Sequence, residues 1–158
     1  MLRLKIRNGR KSDAQAICDM AAALSAHEGV ADPKFTIKDY QKYGFGRKQQ
    51  FKTLVAEVNE KVVGYLIFCD SFHIGIGTPG LSILDVFVDN SFRRMGVGKK
   101  LFATLSSYCI TNEGTWITWQ CQPKNESALH FYRAIGGRQY VALDFELADN
   151  DLVRLAKK

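Results

Sequence analysis

The sequence predicts a single α/β domain in which one mixed, twisted β-sheet carries helices on both faces. The length of 158 residues is typical of one domain. The predicted elements follow the order strand, two helices, three strands, helix, strand, helix, strand, which is typical of a mixed sheet covered by helices. A basic turn with two glycines joins the fourth predicted strand to an amphipathic helix, which places a candidate anion site at a helix N-terminus.

The composition is that of a globular protein and narrows the classes of function. Hydrophobic residues make up 46% of the chain and charged residues 24%. No apolar run approaches the length of a membrane span, and the first residues alternate apolar and basic types, so we expect a cytoplasmic protein without a membrane partner. Four dispersed cysteines and three histidines have no metal-ligand spacing, so we expect no metal. The net charge of +6 allows nucleic acid, a membrane surface or a phosphorylated small molecule as partner.

The first half of the chain contains a strand, two helices and a hairpin. Residues 2–6 alternate apolar and basic side chains, which predicts a strand. Ser12 and Asp13 are candidate caps for a helix that ends near residues 27–29, and residues 35–40 indicate a short second helix. Residues 53–58 and 61–69 are β-rich runs separated by two residues, which predicts a hairpin.

The second half alternates strands and helices. Residues 70–80 are predicted as a loop, and the literal GxGxxG string at 75–80 is discarded as a dinucleotide site because a strand follows it. Strands are predicted at 81–88, 116–121 and 140–147, and helices at 98–109 and 127–135. Gly136 and Gly137 are expected to close the last of these helices, and the tail to add a helical turn.

The basic turn at residues 93–100 is the strongest candidate site. Gly96 and Gly98 allow a sharp turn that exposes backbone N–H groups at a helix N-terminus, and Arg93, Arg94 and Lys99 add positive charge. This arrangement suits a pyrophosphate, while a solvated basic turn explains the same residues equally well.

Two further aromatic positions are ambiguous from the residues alone. Tyr132 lies seven residues after Asn125, an N-cap candidate, and its ring is explained by core packing as well as by a site. Trp116 and Trp119 are three residues apart in a predicted strand, so at most one of them lines a site.

Three segments together resemble the GNAT superfamily of N-acetyltransferases. The acetyl-CoA motif of the superfamily, Q/R-x-x-G-x-G/A, is similar at Arg93, Gly96 and Gly98 to the segment ILDVFVDNSFRRMGVGKKLF. Its later motif, in which an asparagine opens a helix that carries a tyrosine, is similar to NESALHFYRAIGG. Its opening strand and helix are similar to IRNGRKSDAQAICDMAAAL. Within the superfamily the chain is most similar to the diamine (spermidine/spermine-type) acetyltransferases, on HEG at 27–29, GFG at 44–46, LDVFV at 84–88 and NESALHFY at 125–132.

The resemblance implies one acetyltransferase domain over residues 1–158, with splayed central strands, acetyl-CoA as co-substrate and a homodimer. The residues that it assigns to acetyl-CoA are Val86, Phe87, Val88, Arg93, Arg94, Met95, Gly96, Val97, Gly98, Lys99, Asn125, Ala128 and Tyr132. It assigns the amine substrate to His27, Glu28, Asp85 and Trp119, and the role of general acid to Tyr132.

The expected reaction is direct transfer of an acetyl group to the primary amine of a small molecule. Leu84 stands where the polyamine-type enzymes have a glutamate, which leaves Glu28, Asp144 or Glu146, acting through water, as candidate bases. Strand alternation turns Asp85 to the face opposite Leu84. The alternative is a catalytically silent acyl-CoA-binding domain, and a nucleic-acid module is disfavoured because the basic cluster falls in one turn.

Overall fold

The computed structural model describes residues 3–157, and its contacts divide the chain into two compact units, Met1–Asn125 and Glu126–Lys158. The first unit holds one five-stranded sheet in the order β1-β2-β3-β4-β5, antiparallel throughout except for the parallel pair β4–β5. The strands are β1 (Leu4–Asn8), β2 (Lys52–Val58), β3 (Lys61–His73), β4 (Thr78–Val88) and β5 (Ile117–Thr118). The helices are α1 (Ala14–Glu28), α2 (Ile37–Tyr43) and α3 (Val97–Thr111) in the first unit, and α4 (Glu126–Ala134) and α5 (Asp149–Ala156) in the second.

The sheet buries side chains on both faces, as the α/β prediction requires. Alternate strand residues pack with α1 and α2 in one cluster that includes Val55, Tyr65 and Phe87. The intervening residues are buried on the other face, where Phe68 meets Tyr108 of α3 with ring centroids 5.2 Å apart. The predicted mixed sheet with helices on both faces is therefore confirmed. Among residues 3–157, no helix is long and apolar enough to span a bilayer.

The start of α1 differs from its prediction. A 3-10 turn at Lys11–Asp13 precedes the helix, and Asp13 occupies the N-cap position without bonding an N–H of α1. Its carboxylate instead accepts hydrogen bonds from the Arg7 guanidinium at 2.8 and 2.9 Å and from the Arg10 N–H at 2.6 Å. A tertiary ion pair has taken the side chain that local sequence assigned to capping. Gly29, at φ 67°, ends α1 where the sequence predicted.

Four other boundaries are corrected. The predicted loop at 70–80 is wrong, because β3 and β4 continue through it as a paired hairpin whose turn is residues 74–77. The strand predicted at 116–121 is shortened to Ile117–Thr118. The strand predicted at 140–147 is wrong, since the structure assigns no regular element to that segment. The tail forms the two-turn helix α5 rather than a single turn.

Candidate active site

Strand β4 carries a β-bulge in its pairing with β3 and pairs with β5 over only two residues. Ile67 of β3 pairs with Asp85 and Phe68 pairs with Ile83, so Leu84 is the extra residue on the bulged strand. The register of β4 with β5 covers only Leu81 and Ser82. The rest of β4, residues 83–88, therefore lies beyond its pairing with β5, which agrees with the splay that the family resemblance implies.

A 3-10 turn at Asn90–Phe92 joins the open part of β4 to the basic turn. Arg94 and Gly96 both have positive φ, 60° and 79°, and α3 begins at Val97. The first N–H groups of a helix have no acceptor within it, and the helix dipole makes that end attractive to anions. A Cβ placed on Gly96 would meet no atom within 4 Å, so the backbone of the turn is open to a ligand. This geometry fits a pyrophosphate group.

The basic side chains of the turn have different roles. Arg93 Nε donates to the Val88 carbonyl oxygen at 3.0 Å, and its guanidinium lies 5.4 Å from the centre of the Phe87 ring. Lys100 Nζ donates to the Leu4 carbonyl oxygen at 3.0 Å, which ties α3 to β1. Arg93 and Lys100 thus fasten the turn to the sheet while their charges remain beside it. Lys99 and Met95 are exposed.

A carboxylate and a phenol meet on the α1 side of the sheet, where β4 and β5 separate. The Tyr65 hydroxyl donates to Asp85 Oδ2 at 2.6 Å. Burial, the largest effect, raises the pKa of Asp85, and the charge of Glu28 raises it further. Hydrogen bonds from Tyr65 and from the Val86 N–H lower the pKa, but the net shift is upward. Leu84 is 56% exposed at the bulge, whereas Asp85 is half-buried beside Tyr65.

The C-terminal end of α1 adds a second carboxylate to this region. Glu28 is half-buried and His27 is exposed. The pKa of the Cys121 thiol, just after β5, is raised by burial and then by the charge of Glu28. The charge of Glu28 thus contributes to the raised pKa of both Asp85 and Cys121. The roles of Glu28 and Asp85 toward the substrate stay predictions.

Sequence reasoning missed Tyr65. Its partner Asp85 is 20 residues away along the chain, and only the register of β3 against β4 brings the two side chains together. Burial, followed by the charge of Asp85, raises the pKa of the Tyr65 phenol. Tyr65 therefore stays a neutral donor to the carboxylate. Tyr65 lies within the predicted strand at 61–69, but no sequence signal identifies its partner.

Trp119 is placed against α3. Its ring centroid lies 5.2 Å from that of Phe102 in an edge-to-face contact, on the sheet face opposite to Asp85. Trp116 instead donates from Nε1 to the Thr78 carbonyl oxygen at 3.1 Å. The role of Trp119 toward the substrate stays a prediction.

The remaining predicted residues lie at the boundary and in the second unit. Asn125 directly precedes α4, which carries Ala128 and Tyr132. The Tyr132 ring is half-buried, with its centroid 5.5 Å from that of Phe131, and the Tyr132 carbonyl oxygen accepts from the Gly137 N–H at 2.9 Å. Gly136, at φ 93°, closes the helix as predicted. The roles of Asn125, Ala128 and Tyr132 stay predictions.

Comparisons with known proteins agree with this arrangement. The family model "Acetyltransferase (GNAT) family" matches residues 19–136. The chain is 24% identical over 140 residues to the human "Spermidine/spermine N(1)-acetyltransferase-like protein 1", covering 84% of this chain. It spans about a fifth (20%) of the length of that relative.

Two solved structures share the fold. An integron cassette protein from the mobile metagenome of V. cholerae superposes with a TM-score of 0.80, at 22% identity and 98% coverage of both chains. An aminoglycoside N-acetyltransferase in complex with CoA gives 0.74, at 17% identity, covering 92% of this chain and 95% of the other. With more than half of its length matched by the family model, the chain belongs to the acetyltransferase (GNAT) family.

Proposed function

We propose that this enzyme transfers the acetyl group of acetyl-CoA directly to the primary amine of a small molecule. One observation carries the proposal. Residues 83–88 of β4 lie beyond its pairing with β5, and they precede a glycine turn at the N-terminus of α3. An open strand edge suits an extended amide-bearing chain, and the turn suits a pyrophosphate. Acetyl-CoA contains both groups, and it supplies a thioester as the acyl donor.

The acyl-donor side is formed by residues of β4 and of the turn. The backbone of Val86 and Val88 would pair with the extended arm, and the N–H groups from Arg94 to Lys99 would bind the pyrophosphate. Side-chain charge comes from Arg93, held against Val88 and Phe87, and from Lys99. The family resemblance adds Asn125 and Ala128 to this side.

The amine side is formed by Asp85 and Glu28, with His27 next to Glu28. A primary amine near pKa 10 arrives as an ammonium ion and must lose a proton before it attacks. Two carboxylates attract the cation, and Asp85, whose pKa is raised by burial, is suited to accept the proton. Tyr65 holds the Asp85 carboxylate in place from the core side.

The departing thiolate needs a proton donor, and we assign that role to Tyr132 on the family motif. A phenol with an ordinary pKa near 10 can protonate a thiolate sulfur. The amine nitrogen bonds the acyl carbon, the carbon–sulfur bond breaks, and the sulfur takes the Tyr132 proton. The second proton of the nitrogen then passes through water to the Tyr132 phenolate, which restores the phenol. The reaction then needs no covalent enzyme intermediate.

A silent acyl-CoA-binding domain is the second candidate, and Leu84 favours it. Leu84 is 56% exposed at the bulge and brings no acid to a position that the polyamine-type enzymes fill with glutamate. The Tyr65–Asp85 pair argues for catalysis, because a half-buried carboxylate with a raised pKa and without a function would be a burden on stability.

The proposal is tested by calorimetric titration with acetyl-CoA beside ATP, followed by thiol release with a panel of amines. We expect saturable binding near one per chain and much tighter than ATP. Lys99→Gln should weaken acetyl-CoA binding roughly tenfold through loss of a charge-assisted contact, while Lys38→Gln, an exposed charge on α2, should not change it. Binding without thiol release for any amine would support the silent domain, and absent binding would reject both candidates.

A further inference from the structure

Helix α2 and the turns next to it present a dense group of basic side chains. Residues 10–11, before α1, and residues 34–48, around α2, are distant in the sequence, and their seven basic side chains are all exposed. These side chains are here called the basic face: Arg10, Lys11, Lys34, Lys38, Lys42, Arg47 and Lys48. The sequence disfavours a nucleic-acid module because its tightest basic cluster falls in one turn, whereas the basic face forms only in the fold.

A side-chain contact joins the two segments. Gln41 Nε2 of α2 donates to the Lys11 carbonyl oxygen at 3.3 Å, which places the turn before α1 against α2. Lys38 and Lys42 are four residues apart and Gln41 lies between them, so the three share one side of α2. Tyr40, on the opposite side, is fully buried. The exposed side of α2 and the turn before α1 therefore form one continuous surface.

The turn after α2 is held against the end of that helix. The Gln50 N–H donates to the Tyr43 carbonyl oxygen at 2.7 Å, and the Phe45 ring lies edge-on to Tyr40 with centroids 5.5 Å apart. These contacts fix the 3-10 turn Gly46–Lys48 next to the last turn of α2. Its two basic side chains thus extend the basic face beyond α2.

The basic face accounts for the net charge of the chain. Of the 22 basic and 16 acidic residues, seven and one lie within residues 10–11 and 34–48, which amounts to +6, and the other 15 of each balance. In the part of the chain that the structure describes, no carboxylate lies within 4.0 Å of a charged nitrogen of the basic face. Lys38 and Lys42, one helical turn apart, repel each other. This density of unpaired charge favours an anionic partner.

The one acid of these segments is already engaged. The Asp39 carboxylate accepts hydrogen bonds from the Thr36 N–H at 3.0 Å and from the Thr36 hydroxyl at 2.7 Å, at the start of α2. Those bonds, and then the charges of Lys42 and Lys38, hold the pKa of Asp39 below its ordinary value. Asp32, just before the second segment, is exposed and lowers the charge at that edge by one. The basic face therefore keeps most of its charge for a ligand.

The basic face has no apolar centre, which favours a polyphosphate over a protein or a membrane. Within residues 34–48, Ile37 is the only exposed large hydrophobic side chain, at 38%. Protein interfaces bury an apolar core, and helices on membrane surfaces insert an apolar face. Phe35 and Phe45 pack on Tyr40, with centroids 6.3 and 5.5 Å away, so they give unpaired bases no platform for stacking. The phosphates of a duplex need neither feature, because binding follows from the release of their counterions.

We propose that the basic face binds double-stranded nucleic acid through its phosphates, without reading the base sequence. Lysines four residues apart on a helix are about 6 Å apart along its axis, and a duplex carries one charge per about 1.7 Å of its axis, so each lysine can reach its own phosphate. Five of the seven cations are lysine, a point charge that binds phosphate in many geometries. The inference is independent of the proposed function, because it uses no residue of β4 or of the glycine turn.

The first test is fluorescence anisotropy of the full chain with a DNA duplex of about 20 base pairs and arbitrary sequence, over about 50–200 mM salt. We expect a dissociation constant of about 1 μM at the lowest salt and a slope of roughly −5 for log K against log salt, as five or six phosphate contacts give. Lys38→Gln with Lys42→Gln should reduce the slope by about 2. The matched control, Lys61→Gln with Lys99→Gln, removes the same charge from the start of β3 and from the glycine turn, and should leave the slope unchanged. Absent binding at the lowest salt, or an equal change in the control, overturns the proposal.

The second test locates the contact and compares the partners. Amine-reactive labelling followed by mass spectrometry should show that the duplex protects the lysines of the basic face and leaves Lys61 unprotected. Saturating acetyl-CoA should leave duplex binding unchanged. Protection that excludes the basic face, or displacement of the duplex by acetyl-CoA, overturns the proposal. Tighter binding to a single strand, to poly-glutamate or to phosphatidylcholine–phosphatidylserine vesicles also overturns it, in favour of unpaired bases, an acidic protein or a membrane respectively.

Discussion

Replacing Arg7 by alanine should destabilise the fold strongly, because Arg7 is the centre of a nearly buried ion network. Its guanidinium donates twice to Asp13, at 2.8 and 2.9 Å, and its Nε donates to Glu57 Oε2 at 2.7 Å. The Arg7 and Asp13 side chains are 11% and 7% exposed. The network joins β1, β2 and the start of α1, so its loss acts on the whole first unit.

The size of the effect follows from burial. Removing one partner of a buried pair leaves a desolvated charge and lowers the free energy of unfolding by about 3–5 kcal/mol. At about 2–4 °C per kcal/mol for a chain of this length, Arg7→Ala should lower the melting temperature by roughly 6–20 °C. The Lys52–Asp70 pair, with side chains 35% and 68% exposed, is the internal comparison, and Lys52→Ala should lower the free energy by less than about 1 kcal/mol.

The effect also has a predicted pH dependence. Burial alone would raise the pKa of Asp13, but hydrogen bonds from Arg7 and the Arg10 N–H hold it below its ordinary value of 3.8. A depressed pKa means that the contribution to stability is complete above pH 3.8 and is lost as the pH falls through the folded value. The difference in the free energy of unfolding between the unmodified chain and Arg7→Ala should therefore become smaller in acid.

Urea unfolding followed by circular dichroism, at neutral pH and in acid, measures both quantities. A double variant, Arg7→Leu with Asp13→Leu, should recover much of the lost stability, because it leaves no unpaired charge on the pair. The reasoning fails if Arg7→Ala loses no more free energy than Lys52→Ala, or if the loss is the same at every pH.

Three further predictions concern the site and the sheet. Tyr65→Phe removes a hydrogen bond that lowers the pKa of Asp85, so the acid limb of kcat/KM should move to higher pH. Glu28→Gln removes a charge that raises the pKa of Asp85, so the acid limb should move to lower pH. Equal or absent shifts in the thiol-release assay would exclude Asp85 as the base. Leu84→Glu restores a carboxylate at an exposed bulge position and should lower KM for diamines more than for monoamines, which the same assay with matched acceptors decides. Gly80→Ala would bring a Cβ to 2.6 Å from the Trp116 carbonyl oxygen, so it should lower the free energy of unfolding by about 1–3 kcal/mol. The control Gly75→Ala, in the hairpin turn, should change the free energy of unfolding by less than about 0.5 kcal/mol in the same urea titration.

The sequence predicted elements well where a periodic run was long and failed where a distant partner decided the outcome. Helices α1 and α3 and the β2–β3 hairpin were predicted because their apolar periods extend over several turns or pairs. The string at 75–80 was predicted as loop from its glycines, yet cross-strand pairing such as His73 with Thr78 holds most of the 70–80 segment in a hairpin. The segment at 140–147 has the right period, yet no strand among residues 3–157 pairs with it.

The same distinction applies to the candidate site. The glycine turn is local, and its two positive-φ positions follow from residues close together in the chain. The Tyr65–Asp85 hydrogen bond depends on a bulge at Leu84 that fixes which side chain of β4 meets β3. The Asp13 carboxylate likewise goes to Arg7 rather than to its own helix, because a bidentate ion pair outweighs a local cap.

The pairing of the five strands sets an order of stability within the sheet. β2, β3 and β4 are consecutive in sequence and joined by short turns, so their contacts close small loops and form early in folding. β5 follows only after α3 and is held to β4 by two register pairs. Amide protons of β3 should exchange with solvent only on global unfolding, and those of β5 through a smaller local opening. The pairing of β4 with β5 can therefore open locally while the rest of the sheet remains folded.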